Sequence, residues 1–269
     1  MLILLFFLNP QVNDDEKFLP CEIALLQFNL QDGIIDTFHT FIRPPNEAIP
    51  IGYGYEISKN ADDTHGITLD DNPMYHQHSE NWKGMASSIM KRINPGGVRE
   101  AVWPIYTLAD NEEMVFAVLN DLLTWGGLPI EQDFKVYHVH QLFYHLSQFL
   151  PKSEVCKSEL LAGDCIASDI YSYTVGMACP YHDKIDKSRF CSMNCVKRWA
   201  FLIMDKMCPQ LGIGNYTLKS YLKIMHLKLG FPTGQNFLVC GTKGQKSFHC
   251  RGTKGQRDRS PFFVPGQWD

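Results

Sequence analysis

The beginning of the chain alternates between apolar runs with β character and short polar breaks. Residues 1–9 are almost wholly apolar, and a polar loop follows at 13–17. Two further apolar runs, 23–30 and 34–42, are joined by Gln31-Asp-Gly33, which contains the Asp-Gly pair typical of a hairpin turn. This pattern predicts three antiparallel strands at the start of the chain.

Further along, the pattern changes to strands that are followed by helices. Residues 44–80 are rich in Pro, Gly, Asp, Asn and His and are expected to form a long surface loop. Asp110 and Glu113 have the spacing of a capping box, which predicts that a helix opens there with one apolar face: Met114, Val115, Val118, Leu119 and Leu122. Strands are predicted at 101–106 and 134–139, and further helices at 82–93, 139–150, 159–173, 191–206 and 217–229. Three strands followed by strand–helix alternation predict an α/β fold, a mixed sheet covered by helices.

Composition and charge divide the chain into two parts. The 269 residues are 45% hydrophobic and 12% aromatic, which is enough for a sizeable core and excludes a wholly disordered chain. Residues 232–269 hold six basic and two acidic residues and contain Gly-Thr-Lys-Gly-Gln twice, whereas the rest of the chain carries a net charge of −8. We therefore expect one folded domain over 1–231 and a flexible, basic, Gly-rich tail over 232–269, in preference to a dedicated RNA-contact segment.

The cysteines and the N-terminus indicate a reducing compartment. No apolar run reaches the roughly 18 residues of a membrane helix, so no membrane contact is expected. The run Met1–Phe7 lacks a basic segment before it and a small-residue cleavage site after it, so we interpret it as a strand and not as a signal peptide. Nine cysteines in such a chain favour metal binding over disulfides.

The strongest local candidate for metal binding is Cys179-Pro-Tyr-His182 followed by Cys191. Two ligands three residues apart can hold one ion from a single turn, and a third from the start of the next helix closes the chelate. From spacing alone the fourth ligand stays open between Cys195 and Asp183. The alternative is a pair of buried free cysteines near a surface histidine.

Basic residues cluster around these candidate ligands and could contact RNA: Lys184, Lys187, Arg189, Lys197 and Arg198. Near the N-terminus of the helix predicted at 191–206, such residues could hold a phosphate backbone. A solvated basic face is the alternative. His138 and His140 are expected on one strand face and His76 and His78 in the loop, and no nucleophile motif, phosphate loop or dinucleotide fingerprint accompanies them.

Family-specific motifs give the chain a resemblance to the Maelstrom domain of germline small-RNA silencing proteins, over roughly residues 1–215. The motifs are Phe18-Leu-Pro-Cys-Glu-Ile-Ala24, Phe38-His-Thr-Phe-Ile42, Thr64-His65, the Cys179, His182 and Cys191 set, Val196-Lys-Arg-Trp199 and Leu211-Gly-Ile213. The resemblance implies an RNase H-like fold related to the DEDDh exonucleases. It also implies a fourth metal ligand, because the family's Glu-Cys-His-Cys set maps onto Glu22, Cys179, His182 and Cys191.

The exonuclease acids are not found where that comparison requires them. The first strand, Leu2–Leu8, contains no acid, and the place of a later catalytic Asp falls at Asn111, with Asp110 one residue early. The places of the final His and Asp look like Cys191 and Val196. Two-metal hydrolysis needs several convergent carboxylates, so we expect that mechanism to be absent. With four protein ligands we expect one structural Zn²⁺ per chain that ties three distant segments together.

The resemblance implies an RNA-binding domain in piRNA-mediated transposon silencing, with single-stranded RNA and piRNA-pathway proteins as partners. It also implies a location in the perinuclear nuage of the cytoplasm and in the nucleus. Two alternatives remain open: a metal-independent endoribonuclease that acts on single-stranded RNA, and a protein-interaction scaffold. Family members often carry an N-terminal HMG box; none lies in this chain, so DNA binding through such a box is not expected.

Overall fold

The computed structural model describes residues 2–14, 17–49, 51–69, 79–96, 102–129, 134–150, 156–168 and 170–214. The strands are β1 (Ile3–Asp14), β2 (Lys17–Asn29), β3 (Gly33–Phe41), β4 (Ile105–Thr107) and β5 (Val136–His138). The helices are α1 (Gly54–Asp63), α2 (Trp82–Ile93), α3 (Glu112–Trp125), α4 (Val139–Gln148), α5 (Glu159–Ala167), α6 (Pro180–Lys184) and α7 (Ser192–Met207). Short 3-10 turns lie at Asn46–Ala48, Ala109–Asn111 and Ser188–Phe190.

The five strands form one mixed sheet in the order β3-β2-β1-β4-β5. β1, β2 and β3 pair antiparallel, whereas β4 and β5 run parallel to β1. Parallel neighbours need crossover connections, and helices supply them here. The predicted α/β class, a mixed sheet with three antiparallel strands followed by strand–helix alternation, is confirmed.

Both faces of the sheet are covered at β1, which explains why this strand is apolar at successive positions. Ile3 and Leu5 contribute to one core together with residues of α4, α5 and α7. Leu4, Phe6 and Leu8 contribute to a second core together with residues of α2 and α3. Because side chains alternate across a strand, an uninterrupted apolar run is what a strand covered on both faces requires.

The predicted hairpin turn joins β2 to β3. The Asn29 side-chain oxygen accepts hydrogen bonds from the backbone N–H groups of Gln31 and Asp32, at 2.9 and 2.5 Å. Gly33 follows with a φ of +74°, a conformation that residues with a Cβ rarely adopt. The turn chemistry therefore fixes the register in which β3 returns along β2.

Two local predictions were wrong. The stretch 44–80 is not all loop, because α1 lies within it; α1 is polar and buries only Ile57 and Ala61, too few residues to give a helical pattern. The capping box does not form either. Asp110 lies in the 3-10 turn that precedes α3, and the residue at the start of that helix, Asn111, makes no side-chain capping bond.

Other boundaries differ by a few residues or lie outside the described part. The helix predicted at 159–173 ends at Ala167. The strand predicted at 134–139 ends at His138, so His140 belongs to α4 and not to the strand. The predicted helix at 217–229, the loop histidines 76 and 78 and the tail at 232–269 lie outside the described residues. Among the helices of the described residues, none is long and apolar enough to cross a membrane.

The first core depends on Trp199, which is 1% exposed and packs edge to face on Phe7 with ring centroids 5.5 Å apart. We expect Trp199→Ala to lower the free energy of unfolding by about 3–5 kcal/mol, because it opens a large cavity between α7 and the sheet. Urea unfolding measures the loss. Phe149→Ala is the matched control, since Phe149 is 84% exposed; similar losses in the two variants would contradict this description of the core.

Candidate metal centre

Four buried side chains from three distant segments converge beneath one end of the sheet: Glu22, Cys179, His182 and Cys191. Their ligand atoms all lie within 4.8 Å of one another. The Cys179 Sγ lies 3.1 Å from the His182 Nδ1, and the Glu22 Oε1 lies 3.4 Å from the Cys191 Sγ and 3.5 Å from the His182 Nδ1. Glu22 and His182 are completely buried. The arrangement gathers two sulfurs, one imidazole nitrogen and one carboxylate oxygen around a single point.

The local folds of the three segments explain this convergence. Glu22 lies in β2, where its Cα pairs with Asn9 of β1 and Phe41 of β3. Cys179 precedes α6, whose first residue is Pro180, a position that proline favours. His182 follows within the same short helix, and Cys191 is the residue that immediately precedes α7. The sequence separation of 169 residues between Glu22 and Cys191 is thus closed by tertiary packing.

Both oxygens of the Glu22 carboxylate accept hydrogen bonds, and one of them also faces the cluster. Its Oε2 accepts from the Asn9 Nδ2 at 2.6 Å and from the backbone N–H of Ser192 at 2.9 Å. Its Oε1 accepts from the His39 Nε2 at 2.6 Å and faces the cysteine and histidine ligands. Hydrogen bonds to ligating groups orient them and tune their affinity. This carboxylate is therefore held in place for a ligating role.

The tautomer of His182 is also fixed from outside the cluster. Its Nε2 donates to the backbone oxygen of His65 at 3.0 Å, so the Nδ1 that faces Cys179 is free of a proton in the neutral ring. The Tyr181 hydroxyl donates to the neighbouring Gly66 oxygen. Gly66 has a φ of +73°, and a Cβ there would lie 2.6 Å from the Ile185 Cδ1. The turn after α1 is therefore fitted closely to the segment that carries His182.

The electrostatics of the cluster favour a charged carboxylate. Burial by itself would raise the pKa of Glu22, but the hydrogen bond from His39 and the charges of His182 and His39 lower it to about 2. For His39 the directions are reversed: burial acts to lower its pKa, but its contacts with Cys191 and Glu22 raise the pKa to about 9. Burial raises the pKa of the Cys191 thiol. A bound cation reverses that effect, since a coordinating thiol is deprotonated.

The donor set fits a four-coordinate ion of borderline softness, because thiolates and imidazole are the ligands that such ions prefer. With four protein ligands, no position would remain open for a substrate or a water molecule. The chemistry that the arrangement supports is therefore structural: one ion would tie β2 to α6 and α7.

Sequence comparisons place the chain in a family. A sequence model described as "Maelstrom: piRNA pathway germ-plasm component" matches residues 12–219. The chain belongs to the Maelstrom family. It is 25% identical to the maelstrom homologue of Culex quinquefasciatus over 201 residues, 73% of this chain and 38% of that one. It is 25% identical to protein maelstrom of Drosophila melanogaster and 26% to the human homologue, in each case over 74% of this chain and 43% of the relative.

Solved structures similar to this Maelstrom domain include those of exonuclease I. One, entitled "The structure of exonuclease I suggests how processivity is achieved", has a TM-score of 0.47 and 12% identity over 84% of this chain and 43% of that one. Another is E. coli exonuclease I in complex with a dA13 oligonucleotide, with a TM-score of 0.43 and 10% identity over 77% and 40%. The chain spans about two fifths of the length of the curated relatives described above.

Some residues predicted as ligands of the Maelstrom domain lie outside the cluster, and some residues that support the cluster were not predicted. Neither Cys195 nor Asp183, the two candidates for the fourth ligand that spacing suggested, belongs to the cluster, where Glu22 takes that place. The Cys195 Sγ lies 3.9 Å from the Arg189 oxygen, and the Asp183 carboxylate accepts from the Ser188 hydroxyl. Sequence reasoning missed Asn9, His39 and His65 as groups that hold the ligands. The signal for His39 was its position, since it pairs with Ala24, two residues beyond Glu22, and is a diagonal neighbour of that acid.

The predicted basic surface is smaller than expected. Lys184 and Arg189 are exposed, whereas Lys197 is only 7% exposed and donates from its Nζ to the Gly176 oxygen at 3.2 Å. Arg198 is half-buried and donates to the Ser172 hydroxyl. Lys187 donates to the Ala61 and Asp62 oxygens at the end of α1. The prediction that Lys197 forms part of a solvent-facing basic patch was wrong, because the side chain lies on the inner face of α7.

The N-terminus of α7 is also not available to a phosphate in the way that the sequence suggested. The Ser192 N–H group donates to Glu22, so an internal carboxylate already lies at the positive end of the helix dipole. The sequence could not show this, because Glu22 lies far away along the chain.

The buried Lys197 could act as a counter-charge if an ion were bound to the cluster. A divalent ion held by two thiolates, one carboxylate and a neutral imidazole has an excess of one negative charge, which is costly to bury without compensation. Burial lowers the pKa of Lys197, while the charges of Cys191, Asp183 and Cys179 raise it. Lys197 would therefore offset part of the negative charge of an ion-bound cluster, together with His39, whose pKa of about 9 keeps its ring charged near neutral pH.

We expect Cys191→Ser to abolish stoichiometric metal binding and to lower the free energy of unfolding by about 4 kcal/mol or more, because the binding energy of a structural ion is folding energy. Elemental analysis and chemical unfolding of the purified chain measure the two effects. Cys195→Ser is the matched control, one helical turn away. Retention of the metal by Cys191→Ser, or its loss from Cys195→Ser alone, would contradict the ligand set.

Lys197→Met removes the counter-charge and keeps most of the side-chain volume. We expect it to weaken metal binding by about 10- to 100-fold, as other groups around metal ligands do. Competition against a chromophoric chelator measures the dissociation constant. Lys184→Met removes the same charge from an exposed position of α6 and should leave the affinity nearly unchanged; equal effects of the two substitutions would refute a specific role for Lys197.

Proposed function

We propose that the chain is a zinc-stabilised RNA-binding domain that acts in piRNA-mediated transposon silencing, on an RNase H-like fold that has lost its exonuclease acids. The observation that carries the proposal is the match to a family described as a piRNA pathway germ-plasm component over 12–219, about three quarters of the chain. Because the chain covers less than half of its relatives, the proposal concerns this domain and not a whole protein.

The proposed ion is one Zn²⁺ per chain, held by Glu22, Cys179, His182 and Cys191. Zn²⁺ accepts thiolate, imidazole and carboxylate ligands together in tetrahedral sites, whereas Mg²⁺ and Ca²⁺ require oxygen ligands. Two of the four donors here are sulfurs, which favours zinc. All four lie in the interior, as expected of a structural ion.

The proposed loss of exonuclease chemistry is supported by the surroundings of the old acid positions. Leu4, Leu5 and Phe6 of β1 are buried apolar side chains, and a catalytic carboxylate cannot be provided by them. Val196, at the expected place of the last Asp, is completely buried in α7. Asp110 lies exposed in the 3-10 turn before α3, and one carboxylate alone does not hold two metal ions.

The proposed RNA surface extends from the end of α6 to the start of α7, where Lys184 and Arg189 are exposed. The guanidinium group of Arg189 lies over the Phe190 ring, 4.8 Å from its centroid. An exposed cation next to an aromatic ring suits single-stranded RNA, which is recognised by phosphate contacts and base stacking. The proposed partners are single-stranded RNA and proteins of the piRNA pathway, and the proposed location is the perinuclear nuage and the nucleus.

The test is binding of an end-labelled single-stranded RNA to the purified chain, followed by anisotropy and on gels, with and without Mg²⁺. Lys184→Glu/Arg189→Glu should weaken binding about ten-fold or more and reduce the slope of log affinity against log salt by roughly 1.4, the value for two lost contacts with a single strand. Lys59→Glu/Lys206→Glu is the matched control, since it makes the same change of net charge at two exposed lysines outside the proposed surface.

Three outcomes separate the candidate functions. Intact RNA that binds with the expected dependence on Lys184 and Arg189 supports a binding module. Fragments that form without Mg²⁺ would favour the metal-independent endoribonuclease instead. Absence of binding and of fragments, in a chain that holds its zinc, would contradict the proposal and favour a scaffold for protein partners.

A further inference from the structure

A second group of histidine and carboxylate side chains, outside the buried cluster, lies where β5 passes into α4. His138 is the last residue of β5, and His140 lies in the first turn of α4. The two imidazole rings are nearly parallel, at 20°, with centroids 5.4 Å apart. The His138 Nε2 lies 2.7 Å from the Glu112 Oε2, at the start of α3. His138 thus contacts both a carboxylate of α3 and a second imidazole at the start of α4.

The charge of a further carboxylate also acts on this group. Burial and the neighbouring His138 lower the pKa of His140, and the charge of Glu159 at the start of α5 raises it. Glu112 is about half-exposed, and a quarter of the His138 side chain is exposed. The group is therefore open to solvent and has a negative electrostatic environment.

These features fit a cation better than an anion or a purely structural contact. The Glu112 carboxylate beside the histidines would repel a phosphate unless both rings were protonated, whereas at neutral pH most unperturbed imidazoles are neutral ligands. Metal–nitrogen bonds of about 2.0–2.1 Å require the two ligating nitrogens to approach to roughly 3 Å. Because the side chains are solvent-accessible, rotation of the rings toward Glu112 can provide this approach.

We propose that Glu112, His138 and His140 form a second, exchangeable binding site for a borderline divalent transition cation such as Zn²⁺, Co²⁺ or Ni²⁺. Imidazole ligands select these ions over Mg²⁺ and Ca²⁺, which prefer oxygen. Three protein ligands leave at least one coordination position to solvent, in contrast with the closed set around Glu22. The pairing of β4 with β5 supports this position of the site. His138 pairs with Thr107 at the end of β4, so the site lies at the carboxyl ends of two parallel strands.

The experiment is titration of the zinc-loaded chain with Ni²⁺ alone, by calorimetry, with the buried ion monitored by elemental analysis before and after. We expect one saturable site per chain without release of the buried zinc. His138→Ala and His140→Ala should each weaken Ni²⁺ binding at least ten-fold, and Glu112→Gln several-fold. His145→Ala is the matched control, because His145 is an exposed histidine at the other end of α4, and it should leave binding unchanged.

Three results would overturn the proposal: no saturable uptake of Ni²⁺, uptake that persists in the His138→Ala/His140→Ala double variant, or an equal loss in His145→Ala. Thermal unfolding of each variant before titration ensures that only folded protein is compared. RNA binding is measured on the same samples. Failure of RNA binding with Ni²⁺ uptake intact would refute the proposed function and leave this second site standing. Absence of Ni²⁺ uptake with RNA binding intact would refute the second site and leave the proposed function standing.

Discussion

The architecture of this domain depends on one buried carboxylate. Glu22 is completely buried in the second strand of the sheet, where an unpaired charge would be prohibitively costly. The fold satisfies it from four directions: Asn9 on the neighbouring strand, His39 on the strand beyond, the N-terminus of α7, and the cysteine and histidine ligands. Each of these groups comes from a different segment, so a single charged side chain defines where the segments must meet.

A metal ion bound here would turn the buried Glu22 carboxylate from a charge that the fold tolerates into a ligand that stabilises the fold. Without it, the cluster consists of a carboxylate, two histidines and two thiols whose proton affinities depend strongly on one another. With it, the thiols would ionise, the carboxylate would gain a ligand bond, and His39 and Lys197 would offset the negative charge. This would account for a lysine buried in α7 with a backbone oxygen as its hydrogen-bond acceptor, a placement that a surface role in RNA binding cannot explain.

Much of the fold could be predicted because its signals are local. The apolar run of β1, the Asp-Gly turn before β3 and the stripe on α3 each follow from side-chain periodicity or turn chemistry. α1 was missed because it buries only two residues, and the start of α3 was misjudged because a 3-10 turn occupies the capping position. Three of the four ligands of the metal cluster could be predicted from spacing. The spacing of Cys179, His182 and Cys191 indicated three ligands, whereas Glu22 followed only from the family resemblance, because no local pattern links residues 169 positions apart. The burial of Lys197 depends on which face of α7 packs inward, and a cluster of charges along the sequence does not reveal it.

X-ray absorption at the zinc edge of the purified chain tests the central claim most directly, because it reports the ligands of the ion and not only its presence. The account predicts one zinc per chain with two sulfur ligands at about 2.3 Å and one nitrogen and one oxygen at about 2.0–2.2 Å. A folded chain that contains no zinc, or a zinc whose shell holds only light atoms, would contradict it.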